Sequence, residues 1–579
     1  MEKEIKNLIK EALKKLDITE VDFVVEHPAD LKMGDYSTNV AMVLAKNLKL
    51  NPKELAEKIV SELRTVLKNS ERTVLHEIQI AGNGFINFYL SKKFFINSIE
   101  EIIKNKEFGK NNSLLDQKIM IEYTQPNPFK PFHIGHLMSN AIGESISRLV
   151  EFSGAEIYRA NYQGDVGLHV AKAIWGLIQN SHLQKDDNIP VKLKSANIGQ
   201  AYVFGAQQYE KNKDEIDEIN KKIYARSDET INKIYDWGFK VTMEAFEDLY
   251  KVLGTKFDFY FLESAMASSG EKTVRENIGK VFIKSDGAIV FPAEKYDPKL
   301  HTRVFITSAG LPTYETKEFG LTEEKFKTKP DMNLSIVVTA VEQADYMRVV
   351  AKALSLIHPD FENRMKHITH GMMRFISGKM GSRTGNVITG ESLINDARLA
   401  IIEKIANKDL LEEEINQISE KVAIAALKYS ILKQAIGADI VYDFKKSISL
   451  EGDSGPYLQY SYARANSILE KAKVEKIKPF LRSDLKNSER SDLFEISETE
   501  KLLYRFPEIV LRSAQEYAPH YIANYLIELA RSFNSFYGNN LIVDKKDPAS
   551  AYKVALTEAF SVVMKNGLHL LGIQAPEKM

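Results

Sequence analysis

The sequence predicts a multidomain α/β protein: a parallel-sheet unit in the middle, an α+β unit before it and an all-α unit after it. Three observations predict this. Residues Lys118 to Arg159 read as strand, loop, helix and strand, which is one βαβ unit, and such units build parallel sheets. The first 110 or so residues mix an amphipathic helix with short alternating stretches around glycine turns. From about residue 400 the pattern is almost wholly helical. A chain of 579 residues has room for two to four such domains, each with its own core. The expected divisions are residues 1–110, 111–400 with a helical insertion at about 180–250, and 401–579.

Composition excludes several classes. The apolar fraction of 44% is ordinary for a globular protein. Lys plus Arg (78) balances Asp plus Glu (79), so bulk charge announces no polyanion partner, and RNA binding would need local basic patches. With no cysteine there are no disulfides, thiol nucleophiles or cysteine-based zinc sites. The opening segment is a charged amphipathic helix rather than a signal peptide. No apolar run is long enough to span a bilayer, and a cytoplasmic protein without membrane contact is expected.

Taken in order, Ile5, Ile9, Leu13 and Leu16 share one face of the first helix. A turn at Met33 to Asn39 leads into a helix over Val40 to Leu48, and Ile78 to Leu90 alternates like a hairpin around Gly82-Asn83-Gly84. A charged helix over 92–106 joins this unit to the next.

The central βαβ unit carries the first functional signal. Lys118 to Tyr123 reads as a buried strand, Thr124 to Phe132 as a loop fixed by three prolines, and His133-Ile134-Gly135-His136 as the start of a helix that Ser153-Gly154 stops. A helix N-terminus beyond a parallel strand is an anion site. Gly135 permits close approach there, and neutral imidazoles can donate to phosphate oxygens. The plain alternative is a helix start with two satisfied surface histidines.

His133-Ile134-Gly135-His136 resembles the HIGH signature of class I aminoacyl-tRNA synthetases. Glu122 to Asn127, with Lys130-Pro131 and the helix after His136, resembles the arginyl-tRNA synthetase family in particular. The passages around Asn39 and Phe85 resemble that family's N-terminal domain, which contacts the tRNA D-loop; Asn39 and Phe85 are the candidates for that RNA face, against a plain packing role. Residues Arg159 to His169 resemble its RANHxGDxG segment, with Tyr162 where histidine is usual. Asp165 there either orients substrate or forms an Asx-turn. Residues 180–250 read as a solvated helical pair, interrupted around Ser227-Asp228, and Phe257 to Phe261 and Gly287 to Pro292 as strands.

Tyr314 and Glu318, four apart on one helix face, match the family's Tyr-x-x-x-Asp, whose residues bind arginine. Val337 to Arg348 is expected to be a buried strand ending in polar residues. Gln343 stands where the family has an arginine-binding glutamine, and Tyr346 where it usually has histidine. His370 to Asn386 is a glycine-rich loop from which Lys379, Arg383 and backbone amides can reach phosphates. It resembles the KMSKS signature, with Lys379, Met380, Ser382 and Arg383 as the ATP-binding positions. Gly381 and Thr384 depart from the pattern, and Ser382 replaces the second lysine, for which Lys130 is the candidate substitute. Val422 to Ile440 reads as one long helix, and Lys471 to Arg490 as a surface hairpin. Residues Glu451 to Arg464 resemble the segment that opens the family's anticodon-binding bundle; Tyr457, Tyr460, Arg464 and Arg531 would offer stacking planes and phosphate cations, against half-buried packing of the tyrosines.

The resemblance implies a Rossmann-like catalytic domain that activates arginine with ATP and transfers it to the 3′ end of tRNA(Arg), with Mg2+ accompanying ATP and no protein metal site. His133, His136, Lys379 and Lys130 would stabilise transition-state charge, with Gly135 beside the phosphates. Glu122 and Glu318 would face the guanidinium, with Asn127, Tyr314 and Gln343 as neutral partners. The expected partners are tRNA(Arg), L-arginine and ATP, bound by a monomer. A synthetase-like regulator without catalysis, and another class I synthetase or adenylyltransferase, are the alternatives.

Overall fold

The structure, a computed structural model, describes residues 1–18, 21–68, 74–180, 189–376, 389–405, 411–479 and 495–579. The N-terminal unit holds α1 (Glu2–Lys15), β1 (Val25–Glu26), β2 (Tyr36–Thr38), α2 (Val40–Leu48), α3 (Pro52–Lys68), β3 (Leu75–Ala81) and β4 (Phe85–Leu90). Its antiparallel sheet runs β1-β2-β4-β3. Ile5, Ile9 and Leu13 are buried against it as their spacing requires, while Leu16 is only half-buried at the helix end. Helix α4 (Lys92–Lys104) joins two cores: Phe95 packs into the N-terminal one, whereas Ile99 and Ile102 enter the central one.

The central unit continues with β5 (Lys118–Glu122), α5 (Ile134–Phe152), β6 (Glu156–Gln163) and α6 (Leu168–Gln179). Next come α7 (Val191–Gln208), α8 (Lys213–Ala225), α9 (Glu229–Leu253), β7 (Phe259–Leu262) and α10 (Glu263–Glu276). An antiparallel flap of β8 (Ile283–Ser285), β9 (Ala288–Phe291) and β10 (Arg303–Ile306) precedes α11 (Tyr314–Thr328), β11 (Leu334–Ala340), α12 (Ala344–Ile357) and β12 (Met365–His370). The five-stranded sheet β12-β11-β5-β6-β7 is parallel throughout. Strand order reverses between β5 and β11, so the crevice for a ligand opens at their C-terminal ends.

Beyond the sheet lie β13 (Met373–Phe375), α13 (Gly390–Ile405), α14 (Glu412–Leu432), β14 (Ile440–Tyr442) and the short α15 (Phe444–Ser447). The bundle is α16 (Gly455–Val474), α17 (Glu498–Leu503), α18 (Phe506–Gln515), α19 (His520–Asn539) and α20 (Ser550–Leu570). It shares one core with β5, α5 and β11. The N-terminal unit docks on α18 through Glu508, which accepts from the Tyr36 hydroxyl at 2.7 Å and meets His27 Nε2 at 2.8 Å.

Four expectations are corrected. The strand expected over Val337 to Arg348 ends at Ala340, because Met347, Val350 and Leu354 are buried at helical spacing. The long helix expected over Val422 to Ile440 starts earlier and stops at Leu432; Gly437 takes φ +85°, and Ile440 pairs with β13. The described residues of the insertion form three helices, not two. Its expected break is real, with Arg226 left-handed and the Asp228 side chain capping α9, but α7 lacks a clear apolar stripe and packs through glycines. Lys471 to Val474 is the last turn of α16 rather than part of a hairpin, and residues 480–494 lie outside the described residues.

Gly143 sets how closely α5 sits on the sheet, since a Cβ there would lie 2.3 Å from Tyr123 Cβ. Gly143→Ala should lower the thermal unfolding midpoint, at a cost of roughly 1–3 kcal/mol for overpacking. Gly538→Ala on α19, where a Cβ meets nothing within 4 Å, should be neutral or mildly stabilising. Equal midpoints for both variants would show that α5 is not held by this contact.

Candidate active site

The loop from β5 to α5 adopts backbone that its residues rarely take. Thr124, Gln125 and Phe129 have φ of 78°, 50° and 67°. Such conformations cost of order 1–3 kcal/mol each and persist only where the surroundings fix them. Here the Thr124 amide donates to Ser139 Oγ at 3.0 Å, and Asn140 Nδ2 donates to Thr124 Oγ1 at 3.0 Å. Phe129 is fully buried against Gly238. The loop therefore delivers His133 to the N-cap of α5 in one conformation.

His133 and His136 stack with ring centroids 3.5 Å apart. The His133 amide donates to His136 Nδ1 at 3.2 Å, so Nδ1 is an acceptor and Nε2 carries the proton of a neutral ring. Burial, with His133 and Lys130 adding to it, holds His136 well below the ordinary histidine pKa. His133 keeps an exposed edge, yet its packed surroundings and then Lys130 also hold its pKa down. A Cβ on Gly135 would lie 3.0 Å from the His133 ring, so glycine lets that ring lie over the helix start. Lys130 is half-buried over the Tyr202 ring, 5.4 Å from its centroid. The segment beyond β13 returns to the same place: His133 bridges to Thr389, and the Gly390 amide donates to Phe132 O at 2.8 Å. Lys379, Met380, Ser382 and Arg383 lie outside the described residues.

A second cluster sits where β5 ends. Glu122 is 1% exposed and Glu318 on α11 is 7% exposed. Lys325, seven residues along the same helix, is 1% exposed and forms an ion pair with Glu122 Oε2. Gln125 Nε2 donates to Glu122 Oε1 at 2.5 Å. Glu318 Oε1 is buried without a hydrogen-bond partner. Burial first, and then the Glu122 charge, push the Glu318 carboxyl up to about 7 against the opposing pull of Lys325. Burial and the neighbouring carboxylates hold the phenols of Tyr162 and Tyr346 far above the ordinary tyrosine value, so both stay protonated. This is an acidic recess able to receive one more cation with a planar fork of donors.

Asn127 lies against Gly164, where a Cβ would meet Asn127 Oδ1 at 2.5 Å and Glu263 Oε2 at 3.1 Å. Tyr314 is 73% exposed at the start of α11 with Lys317 Nζ 5.2 Å from its ring centroid, and Gln343 is exposed just before α12. Asp165 neither caps its own turn nor faces solvent: it accepts from Ser264 N, Ser264 Oγ and the Tyr235 hydroxyl, tying β6 to α10 and α9. Asn39 Oδ1 accepts from the Val24 amide at 3.2 Å, while Phe85 is 41% exposed.

On the bundle, Arg464 lies between the rings of Tyr460 and Tyr537, 4.6 and 5.0 Å from their centroids, and donates to Asn534 Oδ1 at 2.5 Å. Asn534 in turn donates to the Tyr457 hydroxyl at 2.9 Å. Sequence reasoning missed Lys325 and Tyr537. Lys325 stands in a charged run that looks solvated, and Tyr537 is remote in sequence from Arg464, so neither carried a local signal.

Comparison with known proteins covers the whole chain. Residues 98–444 match the family described as "tRNA synthetases class I (R), catalytic domain", residues 458–579 the "DALR anticodon binding domain", and residues 3–90 the "Arginyl tRNA synthetase N terminal domain". The chain is 29% identical over 608 residues to the arginine–tRNA ligase of Borrelia hermsii, covering 100% of this chain and 99% of that one. It is 31% identical over 552 residues to that of Fusobacterium nucleatum, covering 94% and 93%. The solved arginyl-tRNA synthetase of Thermus thermophilus shares the fold over 100% of both chains, with a TM-score of 0.80 at 23% identity.

The histidine geometry gives a direct expectation. In nitrogen-15 spectra, with the signal assigned by its loss in His136→Gln, His136 should stay a neutral Nε2–H tautomer from about pH 6 to 8. Protonation with an ordinary midpoint near 6.5 would contradict the arrangement.

Proposed function

We infer the reaction from one premise: this chain belongs to the arginyl-tRNA synthetases, the class I tRNA synthetases (R) whose catalytic domain it matches over residues 98–444. It is an arginine–tRNA ligase. Arginine and ATP give arginyl-adenylate and pyrophosphate, and the arginyl group then passes to the terminal ribose of tRNA(Arg), releasing AMP. The observation that carries the residue-level reading is the buried Glu122–Glu318 pair at the C-terminal end of β5, one loop away from the His133–His136 turn.

In this reading the arginine carboxylate attacks the α-phosphorus, so the protein supplies no nucleophile. Its work is positioning and stabilising charge on the phosphoryl oxygens. His136, a neutral Nε2–H donor, and His133 at the α5 N-terminus face that charge, with Gly135 admitting the phosphates. Lys130 supplies a cation from the loop, and Lys379, Met380, Ser382 and Arg383 complete the ATP site from the segment whose far end is pinned to His133. Mg2+ enters with ATP, held by phosphate oxygens and water; among the described residues no cluster of three or more acidic, His or Cys side chains could hold it.

Glu122 and Glu318 take the guanidinium, with Asn127, Tyr314 and Gln343 as neutral contacts. A lysine ammonium cannot fill a fork-shaped set of acceptors, and each buried acceptor left unpaired costs about 1–3 kcal/mol. Residues 1–110 would touch the tRNA D-loop through Asn39 and Phe85. The bundle would read the anticodon loop with Tyr457, Tyr460 and Arg464, half-buried, joined by the exposed Tyr537, an aromatic–cation stack suited to unpaired bases. The proposal extends to a cytoplasmic monomer; among the described residues no helix is long and apolar enough to cross a membrane.

Glu318→Gln tests the pocket. Its arginine KM should rise about tenfold to a hundredfold, the loss of a hydrogen bond to a charged group worth roughly 1.5–3 kcal/mol, with ATP KM unchanged. The wild-type arginine KM should also fall as pH rises through about 7, because Glu318 is neutral below that value and charged above it. Glu318→Gln should lose this dependence. An unchanged arginine KM removes Glu318 from the pocket.

A further inference from the structure

Lys325 is a member of the acidic recess that no sequence motif points to. It lies on the buried face of α11, two turns below Glu318, and Tyr314 stands at the exposed start of the same helix. Its ammonium pairs with Glu122 Oε2 on β5, while Gln125 occupies Glu122 Oε1. Glu122 thus has a hydrogen bond on Oε1 and a counter-charge at Oε2, although Oε2 and the Lys325 ammonium make no hydrogen bond, whereas Glu318 Oε1 has no hydrogen-bond partner. The recess holds two carboxylates and one ammonium, a formal charge of -1, which one guanidinium neutralises.

We propose that Lys325 is a positioning and specificity-determining residue of the arginine pocket: it balances the charge of Glu122 from inside, so that Glu318 carries the net charge left for the substrate cation. This rests on the assignment of the pocket to arginine. The physical reason is the cost of two like charges in one buried space. Without an internal cation, two adjacent buried carboxylates share a proton instead of both ionising. The other groups facing them supply no replacement charge. Tyr162 from β6 and Tyr346 from α12 are neutral phenols, and His367 from β12, which burial holds down to about 4, is neutral. With a proton in the pocket, arginine would have to displace it to bind, and the guanidinium fork would meet a carboxyl group that donates where an acceptor is needed.

The test uses the full-length enzyme and steady-state ATP–pyrophosphate exchange in the presence of tRNA. Lys325→Met keeps the chain length and removes the charge. Each pH unit by which the shared proton is held more tightly weakens arginine binding about tenfold, so at pH 7 the arginine KM of Lys325→Met should rise by about that factor or more. It should fall back toward the wild-type value by about pH 9, where the proton is lost, with ATP KM unchanged throughout. Lys325→Arg should keep the wild-type pH profile. In Lys325→Ala, added n-propylammonium, which matches the deleted atoms, should restore arginine affinity, and this arm holds even if the methionine variant folds poorly. A wild-type arginine KM and pH profile in Lys325→Met, or no rescue of Lys325→Ala by n-propylammonium, overturns the proposal. If Glu318→Gln raises the arginine KM while Lys325→Met does not, only the role of Lys325 fails; if neither does, the pocket assignment fails.

Discussion

The carboxyl group of Glu144, buried in the middle of α5, is the point through which the central unit is tied together. It accepts from the Tyr123 hydroxyl at the end of β5 at 2.6 Å, from Arg148 one turn along α5 at 2.7 Å, and pairs with Arg159 on β6 at 3.4 Å. Burial alone would raise its pKa, but Arg148, Arg159 and Tyr123 outweigh burial and hold it below the usual carboxylate value. Arg148 then donates to Gly254 O beyond α9 and to His569 O on α20. One carboxylate therefore fixes α5 against two strands and, through Arg148, against the insertion and the C-terminal bundle. A buried charge is tolerated only when it is this fully paired. The N-terminus of α5, with His133 and His136, takes its position relative to the sheet edge from that anchor.

Two unlike regions of charge then share the crevice edge. On the proposed phosphate side, neutral imidazoles and Lys130 present donors, and burial keeps the histidines uncharged rather than paired with carboxylates. On the amino-acid side, Glu122 and Glu318 present acceptors around a single internal ammonium. The separation suits a reaction between an anionic nucleotide and a cationic amino acid, whose carboxylate must approach a phosphorus that negative oxygens surround. In the proposed function the acidic recess binds the guanidinium away from the reacting atoms, so its binding energy serves selection and orientation.

How much of this could be read from the chain depended on whether the information was local. The β5 strand, the HIGH-like turn and Glu122 fall within one short stretch, and apolar runs and prolines mark its elements. Glu318 is reachable through its resemblance to the family's Tyr-x-x-x-Asp, whose four-residue spacing puts Tyr314 and Glu318 on one helix face. Lys325 was not: it follows Glu323 and Glu324 and precedes Lys327, a pattern indistinguishable from a solvated face, and only the packing of α11 onto β5 buries it. The left-handed backbone at Thr124 and Gln125 had no signal either, since neither residue type favours it and the bonds that fix it come from α5. Helix α7 was hidden because it approaches α6 through Gly205 and Ala201 instead of through a large apolar stripe. The β11–α12 junction was misread because a buried strand runs into a helix with three residues of 3₁₀ turn between them and no proline or glycine to mark the change.

In the proposed function a buried acidic recess at the end of β5 selects arginine for activation by the neighbouring nucleotide site. This selection is tested most directly by ATP–pyrophosphate exchange with the wild-type protein and each of the standard amino acids in turn, with and without tRNA(Arg). Exchange is expected with arginine and none above background with lysine, glutamine or any uncharged amino acid. Exchange supported equally by lysine, or by an uncharged amino acid in place of arginine, would contradict it.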